Sequence, residues 1–113
     1  MLENIGAGLE HYMSLLSARQ KLVASNIANA DTPGYKTKDI DFRGEFENQL
    51  AGLDPTVTEL SGLKTKNDGN NVDMDREARL LAENALRFSV ATSLARSELQ
   101  TLKEAIQGGN TSS

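Results

Sequence analysis

The chain has no cysteine and no tryptophan, one histidine and two prolines in 113 residues. Without cysteine there is no disulfide framework, no thiol nucleophile and no thiolate metal site. Aromatic residues make up 4% of the sequence, which leaves little bulk for the core of a monomeric enzyme. Basic residues number 12 against 16 acidic ones, a net charge of −4. A protein that grips phosphates needs the opposite balance, so nucleic acid is not an expected partner. No apolar run approaches the roughly 18 residues of a membrane span. Glu3, Glu10, His11 and Ser14 break up the region where a cleaved signal would need basic and then apolar residues. The chain is therefore expected to stay in the cytoplasm or to leave it by a route without a cleaved signal.

What is present is concentrated at the two ends. Residues 39–75 hold nine acidic and three basic groups, whereas the flanking segments are close to neutral. From residue 72 to 107 there is neither proline nor glycine. Met74, Ala78, Leu81, Ala85, Phe88, Thr92, Ala95, Leu99, Leu102 and Ile106 recur in steps of four and three, a heptad seam. Asp73 is placed to cap this helix and Gly108-Gly109 to end it, which predicts a helix over 73–107 and a flexible tail over 108–113. Leu2, Leu9, Leu16 and Val23 repeat every seven residues and predict a second helix over 3–29. Its alternate seam positions are Ile5 and Tyr12, after which Arg19 and Asn26 interrupt it. Pro33-Gly34 has the order a type II turn prefers. The expected architecture is one all-α domain. Its two long terminal helices pack as an antiparallel, coiled-coil-like pair through Leu9, Leu16, Val23, Leu81, Phe88, Leu99, Leu102 and Ile106. Residues 31–72 form a turn and an irregular middle with room for a short β-hairpin, a short helix near 43–51, some alternation over 55–66 and an Asp68-Gly69 turn signal.

Rods of this length do not fit a compact domain of the same size, whose radius of gyration would be roughly 13 Å. A self-contained helical hairpin and a self-assembling subunit both satisfy the pattern, and the broad stripes favour assembly.

Chemistry-bearing constellations are scarce. His11 has no second histidine or cysteine to share a metal with. Asp68, Asn70, Asp73 and Asp75 lack the glutamate that a calcium loop needs at its twelfth position, where Arg79 stands. Asp39 and Asp41 could be drawn as a glycosidase pair, but no sugar-binding pattern accompanies them. No catalytic residue and no cofactor or metal is expected. Phe42, Phe46 and Leu50 have the spacing of a short docking motif or of a local packing cluster.

One segment is far less ordinary. Residues 25–36 read Ser25, Asn26, Ile27, Ala28, Asn29, Ala30, Asp31, Thr32, Pro33, Gly34, Tyr35, Lys36. Small and amide side chains here permit close backbone approach, and the asparagines can satisfy free helix carbonyls or bond a neighbouring chain. The run resembles the signature of the bacterial flagellar axial proteins, the family of rod, hook and hook-associated subunits. The stretches Asp39-Ile40-Asp41-Phe42, Asp68 to Glu77 and Glu83 to Phe88 narrow the resemblance to the rod subunits, at the proximal end of the rod. It covers both terminal helices and no motif between Glu45 and Lys66.

The resemblance implies a non-enzymatic subunit of the periplasmic rod of the basal body. Its terminal helices would pack with other copies and other rod subunits into a torque-bearing tube. Ser25, Asn26, Ile27, Ala28, Asn29, Thr32, Pro33, Gly34 and Tyr35 would form the assembly motif. Implied partners are the small adaptor protein and membrane ring at the rod base and the flagellar type III export gate. Phe42, Phe46 and Leu50 are candidates for the gate contact, and no small-molecule substrate is implied. The alternative is a soluble helical-hairpin module, such as a secretion chaperone or adaptor.

Overall fold

The computed structural model describes residues 2–48 and 55–111. Helix α1 spans Leu2–Ala28, strand β1 Lys38–Ile40, helix α2 Phe42–Asn48, strand β2 Val57–Glu59 and helix α3 Met74–Thr111. Leu50, the last of the three docking candidates, lies outside the described residues.

The two long helices pack antiparallel: Gly6 faces Glu98 and Gln20 bonds Asn84. The molecule measures 74 × 25 × 17 Å with a radius of gyration of 19.0 Å, well above that of a compact domain of this length. At one end, here called the head, the chain turns and the short elements gather against α1. At the other, the tail, only the two helices continue.

Local chemistry explains the elements. Asp73 accepts hydrogen bonds from the amides of Asp75 and Arg76 at 3.0 and 3.2 Å, which caps α3. Asp41 does the same for α2 through the Gly44 amide at 3.2 Å. The Tyr35 amide reaches the Thr32 carbonyl at 3.2 Å and Gly34 has φ +76°, so Pro33-Gly34 forms a type II turn.

Two sequence expectations are corrected. Gly108 and Gly109 do not end α3, which runs through them to Thr111. Glycine weakens a helix by about 1 kcal/mol per residue but forbids nothing. The middle segment holds the expected pair of short antiparallel strands: β2 pairs with Lys38–Ile40 in the register Lys38 to Glu59, Asp39 to Thr58 and Ile40 to Val57.

The second correction is the rotation of α3. As the seam between the two helices of one chain, Leu81, Phe88, Leu99, Leu102 and Ile106 are misplaced: they are 41 to 57% exposed. The buried line of α3 instead runs through Glu77, Leu80, Asn84 and Ala91, turned by roughly 50° about the helix axis. On α1, Leu16 and Val23 are buried and Leu9 is half-buried. Polar anchoring sets the rotation of α3. Arg76 bonds Asp39 of β1 and Asn84 bonds Gln20 of α1, and turning α3 to bury the leucines would break both contacts.

Candidate functional site: a polar clamp and an apolar arm

The motif of residues 25–36 closes the head through side chain to main chain bonds. Asn26, fully buried, treats Lys38 as a β-strand would: its Nδ2 donates to the Lys38 carbonyl at 2.9 Å and its Oδ1 accepts the Lys38 amide at 3.1 Å. The Tyr35 hydroxyl donates to the same Oδ1 at 2.9 Å and lies 3.3 Å from Ser25 Oγ. Asn29 donates to the Ser25 carbonyl at 2.8 Å, satisfying a helix-end acceptor, and accepts from the Thr32 hydroxyl at 3.0 Å. Both asparagines are therefore used within the chain. Ile27 is half-buried, while Ala28, Thr32, Pro33 and Gly34 are exposed.

The second half of the clamp comes from Asp68–Asn71. Asn70 Nδ2 donates to the carbonyls of Asn29 and Thr32 at 2.8 and 2.9 Å. Asn71 Oδ1 accepts the Thr37 amide at 2.6 Å, and its Nδ2 donates to the Leu60 carbonyl at 3.3 Å. The Gly34 amide donates to the Asp68 carbonyl at 2.8 Å. Gly69 has φ +88°, and a Cβ there would sit 3.3 Å from the Gly34 Cα, so two left-handed glycines pass in contact.

Behind the clamp sits an ion cluster. Arg19 bonds Asp39 with two nitrogens, at 3.0 and 2.9 Å. Arg76 bonds the same carboxylate from α3 and also Glu77, at 2.6 Å. Two positive and two negative groups thus balance where α1, β1 and α3 meet. The Glu77 side chain is fully buried, and its Oε2 has no hydrogen-bond partner among the described residues. Sequence reading treated Arg19 and Asn26 as interruptions of the seam. They are members of it, and their partners Asp39, Arg76, Asn70 and Asn71 were not identified as site residues. The one usable signal was a charged and an amide residue at successive seam positions of α1.

The aromatic residues form a separate patch. Tyr12 meets Phe42 and Phe46 edge to face at 5.4 and 5.6 Å, and His11 stacks on Phe46 at 6.0 Å. The guanidinium carbons of Arg19 and Arg87 each lie 5.9 Å from the centroid of the Phe42 ring. Partial burial disfavours the Arg87 charge, but the Tyr12 hydroxyl and Glu83 more than offset this and hold its pKa above the ordinary value.

Along α3 the apolar groups point outward on both flanks of the buried line. Leu81, Phe88, Leu99, Leu102 and Ile106 form one stripe and Leu86, Val90 and Leu94 the other, all at least 41% exposed. Open grooves of about 520 and 330 Å³ run between α1 and α3 on these two sides. Among the described residues no group of three histidine or acidic side chains could hold a metal ion, and no helix is long and apolar enough to cross a membrane. Among the described residues the arrangement positions helices and leaves apolar surfaces open.

A family model described as the flagella basal body rod protein matches residues 13–36, the inward face of α1 together with the clamp motif. The class is thus the rod subunits of the flagellar basal body, a family of structural proteins. Similarity extends over nearly the whole chain to individual members. The flagellar basal body rod protein FlgB of Salmonella typhimurium is 32% identical over 97% of this chain and 100% of its own length. That of Escherichia coli K12 is 33% identical over the same shares, and that of Bacillus subtilis 27% over 89% and 92%. The chain belongs to the FlgB family of flagellar basal body rod proteins and is a rod component of the flagellar basal body. The alignments to the two enteric relatives run over 138 positions, more than the 113 residues of this chain, so gaps in this chain fall within the match.

Proposed function

We propose that this chain is a subunit of the proximal rod that assembles through its terminal helices into the tubular drive shaft joining the membrane ring to the distal rod and hook. The observation that carries the reading is the outward apolar surface of α3: Leu81, Phe88, Leu99, Leu102 and Ile106 on one flank and Leu86, Val90 and Leu94 on the other. A lone helix pair would expose these side chains to water, whereas a tube of such pairs buries both flanks at once. Contacts of this kind, repeated with a rotation that does not close, generate a helical assembly and spread torque over many small interfaces.

Its partners in this reading are further copies, other rod subunits, and the adaptor and ring at the rod base. Export runs through the flagellar type III gate without a cleaved signal, as an unfolded chain. Phe42, Phe46 and Leu50 contact the gate before folding, since in the folded chain Phe42 and Phe46 are held by Tyr12 and His11. The clamp gives each subunit a fixed hairpin shape once it has emerged.

Leu81→Asp and Leu99→Asp test the reading in a motile strain. Both variants are expected to be exported but absent from purified basal bodies, with motility lost. Normal motility in both would overturn assembly through this stripe.

A further inference from the structure

The small sheet treats its two edges differently. The Leu60 amide donates to the Thr37 carbonyl at 2.8 Å, which fixes the alternation of the ladder. Leu60 and Thr58 turn their main-chain groups toward β1, so Val57 and Glu59 turn theirs away from it. Lys38, opposite Glu59, turns away on the other side, where the fully buried Asn26 takes both its amide and its carbonyl. Val57 and Glu59 have no such cover. Their amides and carbonyls make no hydrogen bond among the described residues. All of β2 is exposed, and Val57 is 49% so.

Beside this strand lies a groove of about 530 Å³ between α1 and the sheet. Ala18, Leu22, Ile40, Pro55 and Val57 give it an apolar lining, and Lys21 is its one charged residue.

We propose that the outer edge of β2 binds an extended segment of another protein as a third, antiparallel strand, with an apolar residue opposite Val57 and a basic residue opposite Glu59. The inference goes beyond assembly through the terminal helices and does not depend on it. Outward donors and acceptors at alternate residues of an edge are matched by a strand and by no helix. Strand β1 already shows which side chains suit β2: Ile40 stands opposite Val57 and Lys38 opposite Glu59. Glu59 has no ion pair among the described residues, so its charge is left for the added strand. The groove fixes the register. A side chain level with Val57 meets apolar lining there, whereas a basic one would meet Lys21. A slip of two residues exchanges these matches and loses both. The excess of acidic groups over residues 39–75 draws a basic segment toward this end of the molecule.

Nuclear magnetic resonance of the isotope-labelled full chain, kept dilute, tests this with two synthetic peptides. One is acetyl-Thr-Lys-Thr-Ile-Thr-amide, and the other carries glutamate in place of the lysine. The lysine peptide is expected to move the amide signals of Val57 and Glu59 and to bind at least about threefold more tightly than the glutamate peptide. Glu59→Lys should reverse that preference. Val57→Pro removes one outward amide and none that bonds β1, so it should abolish binding of either peptide. If it disturbs the sheet, seen in the signals of Asp39 and Thr58, the charge reversal at Glu59 decides alone. Signals of Val57 and Glu59 that neither peptide moves at millimolar concentration overturn the proposal. Equal binding of the two peptides overturns it as well, and so does a preference unchanged by Glu59→Lys. If the same signals move when the chain alone is concentrated, the edge pairs with a second copy and the proposal also falls.

Discussion

The head of this molecule buries a polar network beside the apolar Val23, Ile40 and Leu80, whereas the tail buries little and leaves its apolar side chains outside. At the head, Asn26, Thr37, Asp39, Asn70, Asn71 and Glu77 are buried, and nearly all their polar atoms meet a partner. At the tail, beyond Asn84, Ala91 is the one buried residue of α3 among the described residues, and leucines, a valine and an isoleucine lie in the open. In an ordinary small domain the assignment would be reversed. The difference teaches that each end solves a separate problem. A buried polar network is costly unless every member is satisfied, so it admits few geometries and holds one shape. An exposed apolar helix admits many partners and fixes nothing until one arrives. The head thus sets the form of the subunit, and the tail is kept for contact.

The sharpest way to break this comparison is to empty the centre of the ion cluster. Asp39→Ala leaves the Arg19 and Arg76 guanidiniums together without their shared carboxylate, at side-chain exposures of 18 and 15%. Removing one partner of such a cluster costs about 3–5 kcal/mol. Urea denaturation of the dilute chain is expected to show a loss of that size, enough to unfold a small domain. A loss below about 1 kcal/mol would mean that the head does not hold the fold.

Asn26→Ala is expected to come next. It removes the side chain that pairs with both main-chain groups of Lys38 and receives the Tyr35 hydroxyl. Stranding these groups costs about 2–3 kcal/mol in the same measurement. Asn29→Ala removes bonds at an exposed helix end and should cost about 1 kcal/mol. Equal losses would reduce the motif to an ordinary helix stop.

Much of this was legible beforehand. The long helices, the Asp73 cap and the Pro33-Gly34 turn follow from local rules that read a few residues at a time. The run from Ser25 to Lys36 points to the family without any geometry. The rotation of α3 was not legible. Counting apolar residues favoured Leu81 and Phe88, but the inward face is decided by Arg76 reaching Asp39 over 37 residues and Asn84 reaching Gln20 over 64. No local rule sees such contacts. The pairing of β1 was hidden for the same reason, since its outer edge is satisfied by Asn26 rather than by another strand.

A smaller effect sharpens the account of the turn. Gly69→Ala meets both a φ of +88° and a Cβ contact of 3.3 Å with the Gly34 Cα, whereas Gly34→Ala meets a φ of +76° in open space. The first is expected to cost about 2 kcal/mol and the second about 1 kcal/mol. Thermal unfolding of the two variants should keep that order. A reversed order would mean that the two turns do not pass each other in contact.

The smallest expected effect concerns the tail. Leu99→Asp and Leu102→Asp replace side chains that are 53 and 44% exposed. In the dilute chain the loss should stay within about 0.5 kcal/mol, the range of surface substitutions. The same changes are expected to abolish incorporation into basal bodies. This pairing of a silent effect alone with a decisive one in company separates a contact surface from a core. If Leu99→Asp destabilised the dilute chain as much as Asn26→Ala does, the leucines would already be sheltered within one molecule. The division of labour between head and tail would then be lost.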